Sequence, residues 1–270
     1  MKKIVSIIFI FFQASSIVTA QDKKVDLSKF TPKNEFQFKT TCYAYAVGYT
    51  AMSTEYNITN NITDKTKIET DYFSPGVIAS NHDSSLPWYK RSRNCGRLGT
   101  ADISLNILKT VGTTLASDYK CDCEGYGDVQ SQIAKAKAKL YKIKDYATLS
   151  VGNKFSQSSV DWMKNALDQK HPVILGIYQN NQLREAEGIT SIHDAQPDTQ
   201  TLKKISKYPA GTSNHVVCIL GYDENYLGKG GYFLIKNNFS GWGDTNHLLW
   251  VPYTFILPLI EEAYYITGIL

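Results

Sequence analysis

The 270-residue sequence has few cysteines, nearly balanced charge and no long apolar run after its first twenty residues. Lys and Arg total 29 and Asp and Glu total 25, so the net charge of +4 is too small to indicate binding to nucleic acid or to an anionic membrane. We find no internal repeat and no low-complexity linker. What remains is the composition of an ordinary globular protein, for which we expect neither nucleic acid nor membrane as a partner.

The cysteines are odd in number, at positions Cys42, Cys95, Cys121, Cys123 and Cys218. In an exported protein, an odd count leaves at least one thiol unpaired. Cys121 and Cys123 are too close together for half of a usual structural zinc site, and no pair of histidines lies near them. We therefore expect no metal here, and one disulfide from Cys95 to either Cys121 or Cys123.

The N-terminus has the pattern of a secretory signal peptide. It begins with a charged Met1-Lys2-Lys3, continues with an apolar stretch over residues 4–12, and reaches small residues at 18–20. These are the three parts of a cleavable leader, and the apolar stretch is too short to span a bilayer. We predict that residues 1–20 are removed and that the protein is exported, either to a periplasm or out of the cell. The leader holds two lysines and no acid, so the mature net charge is +2.

The first half of the remaining chain is predicted to be mainly helical. Apolar spacing predicts a helix that starts at Cys42 and stops at Asn57. A second helix is predicted from Thr100 or Asp102 to Val111, closed by a glycine at position 112. Residues 57–86 are rich in polar residues and are interpreted as mostly loop.

The second half is predicted to be rich in β-strands. Strand-like runs cover residues 140–149, 173–178, 215–222, 231–236 and 247–251, with a further candidate at 262–266. The basic run over residues 135–144 alternates like a strand with one solvated face. Residues 158–161 look like a capping box that opens a helix, and 179–213 form a polar insert. This order predicts an α+β fold of two lobes, at about residues 21–126 and 127–270.

Cys42 is the candidate nucleophile. It stands at the first turn of the predicted helix, after Thr40-Thr41 and before Tyr43-Ala44-Tyr45. The positive end of a helix and a neighbouring imidazolium both lower the pKa of a thiol, which favours the reactive thiolate. The alternative interpretation of Cys42 is a buried core cysteine at a helix start.

Two later motifs have the residue types that a thiol nucleophile requires. His215 opens an apolar strand that ends in Gly221-Tyr222, and residues 232–235 lead into Lys236-Asn237. An aromatic residue and the block Gly241-Trp242-Gly243 follow. Together with the residues around Cys42, these motifs resemble the papain-like cysteine peptidases over most of the mature chain.

The resemblance implies a role for each matching position. Cys42 would be the nucleophile, His215 the base, and Asn237 the residue that orients the base. Trp242 would pack near this pair. Where the family usually has a tryptophan two residues after the asparagine, this chain has Phe239, which can cover the hydrogen bond but has no indole N–H.

The resemblance also implies a donor for the oxyanion of the tetrahedral intermediate. In the family this is a glutamine shortly before the nucleophile, and Gln37 is the candidate here. It lies one residue closer to Cys42 than is usual, because residues 38–41 form a shorter loop. The backbone N–H of Cys42 would be the second donor.

The fold implied is papain-like, with a helical N-terminal lobe, a β-rich C-terminal lobe and the cleft between them. The implied activity is hydrolysis of peptide bonds through a thioester acyl-enzyme, without a cofactor, on a peptide or protein substrate. A protein inhibitor is a further expected partner. The short segment between the predicted leader and Cys42 leaves no room for the long inhibitory propeptide that most family members carry.

Two alternatives stay open. One is a catalytically silent papain-like module that binds a peptide or protein partner. The other is an acyl-transfer enzyme of the same nucleophile order, similar to transglutaminases or amidases. That class normally uses an acid as its third residue, so Asn237 argues against it.

Overall fold

The computed structural model describes residues 23–33, 35–85, 99–120, 136–149, 155–190, 192, 194–207 and 213–270. The predicted signal peptide lies outside these residues. So do Cys95, Cys121 and Cys123, the three candidates for the predicted disulfide. Cys42 and Cys218 are free thiols, and both are buried. Within the described part of the chain, helices dominate before residue 120 and strands dominate after residue 143.

A buried helical rod forms the centre of the N-terminal part. It consists of α1 (Cys42–Ala44), a π-helical segment (Tyr45–Met52) and α2 (Ser53–Thr59). The predicted start at Cys42 is confirmed, whereas the end lies two residues beyond the predicted stop at Asn57. The Asn57 side chain does not end the helix, because its amide donates to the backbone carbonyl of Phe30 at 2.8 Å. Every residue from 41 to 55 is buried, so the rod lacks the polar face of a surface helix.

The prediction of a loop-rich stretch over residues 57–86 is wrong, since it contains helices α3 (Lys65–Thr70) and α4 (Pro75–Ser85). The Asp64 carboxylate caps α3 by accepting from the backbone N–H groups of Thr66 and Lys67 at 2.8 and 3.1 Å. Proline at the first position of α4 suits a helix start, where its missing N–H costs nothing. The second predicted helix is confirmed as α5 (Ala101–Thr110).

The described strands form one antiparallel seven-stranded sheet in the order β2-β7-β3-β4-β5-β6, with β1 paired to β4 off this path. The strands are β1 (Lys24–Asp26), β2 (Ile143–Leu149), β3 (Val173–Ile177), β4 (His215–Asp223), β5 (Tyr232–Lys236), β6 (Leu248–Pro252) and β7 (Ile260–Ile269). All but β1 were predicted, with ends that coincide or differ by at most three residues. The exception is the basic run, where residues 136–138 form a helical turn with Ala138 fully buried, so a strand with a solvated face is wrong there.

Three further helices and a short one near the C-terminus lie among the strands: α6 (Gln157–Asp168), α7 (Asn181–Arg184), α8 (Thr199–Ile205) and α9 (Tyr253–Ile256). The capping box of α6 is formed by Ser156 and Ser159, whose hydroxyl accepts from the Ser156 N–H at 3.0 Å. It therefore lies two residues earlier than predicted. The insert over residues 179–213 contains α7 and α8.

A hydrogen bond between Glu55 and His171 connects the helical rod to the sheet. The Glu55 carboxylate of α2 lies 3.0 and 3.1 Å from Nδ1 of His171, just before β3. The His171 ring also stacks on Tyr265 of β7, with centroids 5.3 Å apart. Without His171 the buried Glu55 carboxylate would lose this hydrogen-bond partner, so the contact couples the two parts of the chain.

Gly221 allows β1 to lie against β4. The register pairs Asp26 with Gly221. A Cβ atom at Gly221 would lie 2.2 Å from the carbonyl oxygen of Val25. The glycine of the Gly221-Tyr222 motif is therefore required by the close approach of a neighbouring backbone.

We expect Gly221→Ala to lower the free energy of unfolding by about 1–3 kcal/mol, because the added methyl group forces β1 away from β4. Urea unfolding followed by circular dichroism measures the loss. Gly268→Ala in β7 is the matched control, since its Cβ would meet only the Lys144 Cβ at 3.9 Å. Equal losses in the two variants would contradict this account of Gly221.

Candidate active site

Cys42 is the first residue of α1 and only 4% exposed. The backbone N–H groups of Ala44 and Tyr45 bond to the Thr41 carbonyl at 2.9 and 3.1 Å. Cys42 and Tyr43 occupy the first turn of α1, where the N–H groups of a helix lack intrahelical acceptors. Both amides face the Cys42 sulfur. The helix start therefore places donors where a thiolate would form.

His215 and Asn237 meet because β4 and β5 run antiparallel. Cys218 of β4 pairs with Lys236, the last residue of β5, so the end of β5 lies beside the start of β4. The distance from His215 Nε2 to Asn237 Oδ1 is 3.0 Å. The two residues are 3% and 2% exposed, so this hydrogen bond lies away from water.

A second hydrogen bond decides which proton His215 carries. The backbone N–H of Asn238 donates to Asn237 Oδ1 at 2.8 Å. An N–H can only donate, so the Asn237 atom between Asn238 and His215 must be the amide oxygen. That oxygen only accepts. In its neutral form, His215 therefore carries its proton on Nε2, and Nδ1 has the free lone pair that a general base needs.

Burial makes the uncharged forms of both groups the stable ones. Burial raises the pKa of the Cys42 thiol to about 11, although the amides of Val216, Tyr43 and Cys42 itself oppose the shift. Burial lowers the pKa of His215 to about 4, against the effect of its bond to Asn237. The Val216 amide that faces the sulfur follows His215 directly, so the sulfur lies at the start of β4.

Phe239 and Trp242 have separate tasks. The Phe239 ring stacks on His215 with centroids 4.7 Å apart and planes at 25°, so it covers the imidazole. Trp242 is buried, and its indole N–H donates to the carbonyl of Leu183 in α7 at 2.6 Å. Gly243 continues this attachment, since its N–H donates to the Ala186 carbonyl at 2.9 Å. The polar insert thus anchors the Gly-Trp-Gly block, which its sequence did not indicate.

Gln37 is attached to the residue after Asn237. Its backbone N–H donates to the Asn238 carbonyl at 2.8 Å. Its side-chain amide donates to the Lys39 carbonyl at 2.9 Å. An amide NH₂ has two hydrogens, so one N–H of Gln37 stays available to another acceptor.

The described residues contain no group of three or more His, Cys, Asp or Glu side chains that could hold a metal ion. None of their helices is both long and apolar enough to cross a membrane.

The fold has counterparts among solved structures. Xylellain, a cysteine protease from Xylella fastidiosa, superposes with a TM-score of 0.59 over 99% of this chain and 94% of its own, at 17% identity. The digestive procathepsin L 3 of Tenebrio molitor larval midgut gives 0.63 over 90% of this chain and 69% of its own, also at 17% identity. A cysteine protease of Carica candamarcensis in complex with E-64 gives 0.58 over 91% and 98%, at 15% identity.

The fold is that of the papain-like cysteine proteases. No family model matches the sequence, and no curated protein matches it. The expected α+β papain-like fold is confirmed by the structural likeness. The boundary between the lobes near residue 126 remains a prediction. In this papain-like chain, β1 lies N-terminal to Cys42 and yet belongs to the sheet.

We expect Phe239→Ala to raise the pKa of His215 from about 4 toward its ordinary value of 6.5, because the imidazole loses the ring that shields it from water. An NMR pH titration of labelled histidines measures the shift. Phe36→Ala is the control, since the Phe36 ring contacts His247, with centroids 4.8 Å apart. A shift of His215 in the control, or none in Phe239→Ala, would contradict the assignment of Phe239 as the cover.

Proposed function

We propose that this protein is an exported cysteine peptidase that hydrolyses peptide bonds with Cys42 as nucleophile, His215 as base and Asn237 as the residue that orients the base. The observation that carries the proposal is the buried His215–Asn237 hydrogen bond, which leaves Nδ1 as the basic nitrogen. The papain-like fold and the position of Cys42 at a helix start support the same function. Export rests on the sequence of residues 1–20.

Acylation starts from the neutral pair. The Cys42 sulfur attacks the carbonyl carbon of the scissile bond while its proton passes to Nδ1 of His215. The carbonyl oxygen becomes an oxyanion that accepts from the Cys42 N–H and from the free N–H of Gln37. His215 then gives its proton to the leaving amine, the C–N bond breaks, and a thioester remains on Cys42.

Deacylation uses the same groups on water. His215 Nδ1 takes a proton from a water molecule as its oxygen attacks the thioester carbon. The C–S bond then breaks, the acyl group leaves as a carboxylic acid, and Cys42 regains its proton. Asn237 keeps the Nε2 proton in place throughout, so that Nδ1 is the nitrogen that exchanges protons in both steps.

The partners that follow are a peptide or protein substrate and, as a second kind, a protein inhibitor that occupies the same cleft. One observation favours the alternative of a silent binding module. Cys42 is buried, and burial raises the pKa of its thiol to about 11, which disfavours the thiolate. The peptidase and the binding module differ in whether Cys42 reacts.

We expect an epoxide inhibitor such as E-64 to add once to the protein at neutral pH, because the sulfur attacks the epoxide when His215 accepts the thiol proton. Intact mass measures the adduct. Cys42→Ala should take none, while Cys218→Ala, which removes the other described free thiol, should take one. No adduct on the folded wild type would favour the binding module instead.

We expect His215→Ala to lower kcat/KM for a peptide substrate by at least about 100-fold, because the general base is lost.

Gln37→Ala should lower kcat by about 100-fold, the usual effect of one oxyanion donor. Asn57→Ala removes a buried amide outside the site and should leave kcat unchanged. A wild-type protein that yields amine adducts rather than free peptides would point to an acyl-transfer enzyme.

A further inference from the structure

We propose that Lys236 is a positioning residue that holds the segment carrying Gln37 against the Asn237 side of the site. The proposal rests on the proposed peptidase function, and it concerns the placement of the oxyanion donor. Lys236 has no part in the mechanism given above. It is nonetheless the residue directly before Asn237.

The Lys236 side chain is 1% exposed, which is unusual for a lysine. A buried amine is costly unless it is hydrogen-bonded. Its Nζ donates to the Asn246 carbonyl at 2.9 Å and to the Lys33 carbonyl at 3.4 Å. These carbonyls belong to two segments that are far apart in sequence, so one amine joins them.

Both segments lead directly to the site. Asn246 precedes His247, whose carbonyl accepts the Asn237 N–H at 3.1 Å. Lys33 lies four residues before Gln37. The same segment meets Asn238, whose side-chain amide donates to the Glu35 carbonyl at 3.0 Å. Lys236 therefore completes the attachment of the Gln37 segment to the strand end that carries Asn237.

The two ends of this bridge differ in how firmly they are held. Asn237 follows β5, which pairs with β6 through Lys236 and Leu248. The Gln37 segment, residues 35–38, belongs to no strand or helix. Loss of the Lys236 amine should thus loosen the Gln37 segment, whose own hydrogen bonds include those to Asn238 and Tyr49, and leave Asn237 in place.

Charged and titratable groups surround the amine on each side. The charges of Glu69 in α3, Asp244 and Lys33 act on the pKa of the Lys236 amine. The amine in turn contributes to the lowered pKa of His247. Burial lowers the pKa of Lys236 to about 7, while Glu69 and Asp244 oppose that shift. A neutral amine still has two N–H groups for two carbonyls, so the bridge persists in either state, with stronger bonds when the amine is charged.

The test is Lys236→Met, which keeps the apolar stem and removes the donors. We expect kcat for peptide hydrolysis to fall by about 10- to 100-fold with KM nearly unchanged, because a displaced oxyanion donor weakens binding of the transition state and not of the substrate. Alkylation of Cys42 by iodoacetamide should stay within about threefold of the wild-type rate, since that displacement forms no oxyanion.

Two controls separate positioning from loss of stability. Leu234→Ala removes a buried side chain two residues earlier, on the same face of β5. It should leave the ratio of kcat for hydrolysis to the rate of Cys42 alkylation unchanged. In a Gln37→Ala background, Lys236→Met should have little further effect on kcat, because it acts through Gln37. Additive losses, or an unchanged kcat in Lys236→Met alone, would overturn the proposal.

Hydrogen exchange tests the bridge without any catalysis. In Lys236→Met the Gln37 amide should exchange at least about tenfold faster, whereas the Asn237 amide should keep its protection. Equal protection of Gln37 in wild type and variant would overturn the positioning role. The same difference in exchange could be found although the wild-type protein neither hydrolyses peptides nor reacts at Cys42. That result would overturn the proposed function and still support the bridge.

Discussion

The hydrogen bond between His215 and Asn237 is the interaction on which the rest of the site depends. Its value lies in its direction as much as in its 3.0 Å length. The Asn238 N–H determines that Asn237 presents its oxygen, and that oxygen determines that His215 presents Nδ1 as the basic nitrogen. Antiparallel pairing of β4 and β5 brings the two residues together, and the Phe239 ring keeps water from competing for the bond.

The same strand end is also a structural junction. The Gln37 N–H donates to the Asn238 carbonyl, and the buried Lys236 amine donates to the Lys33 carbonyl of the preceding chain. This close construction has an electrostatic consequence. Burial favours the uncharged forms of Cys42 and His215, and it lowers the pKa of Lys236 to about 7. The proposed chemistry therefore has to overcome burial whenever it creates a charge on Cys42 or His215.

Sequence reasoning succeeded where one local pattern was sufficient and failed where a helix relied on its caps. The start at Cys42 and the central strands were readable, because each is a largely apolar run bounded by polar residues. Helices α3 and α4 were missed, since they lie in a polar stretch and depend on Asp64 and on a proline at the first position. The basic run was misread because its residues alternate in type from position 135, whereas strand β2 begins only at residue 143.

By itself the sequence determined the helix that starts at Cys42, the strands that start at His215 and end before Asn237, and the residue types that a thiol peptidase requires. Only the tertiary structure decided how those residues face one another. The register of β4 and β5, the orientation of the Asn237 amide, the stacking of Phe239 and the attachment of Trp242 to Leu183 all join residues distant in sequence. Such contacts leave no periodic trace along the chain, because their partners are chosen by packing in three dimensions.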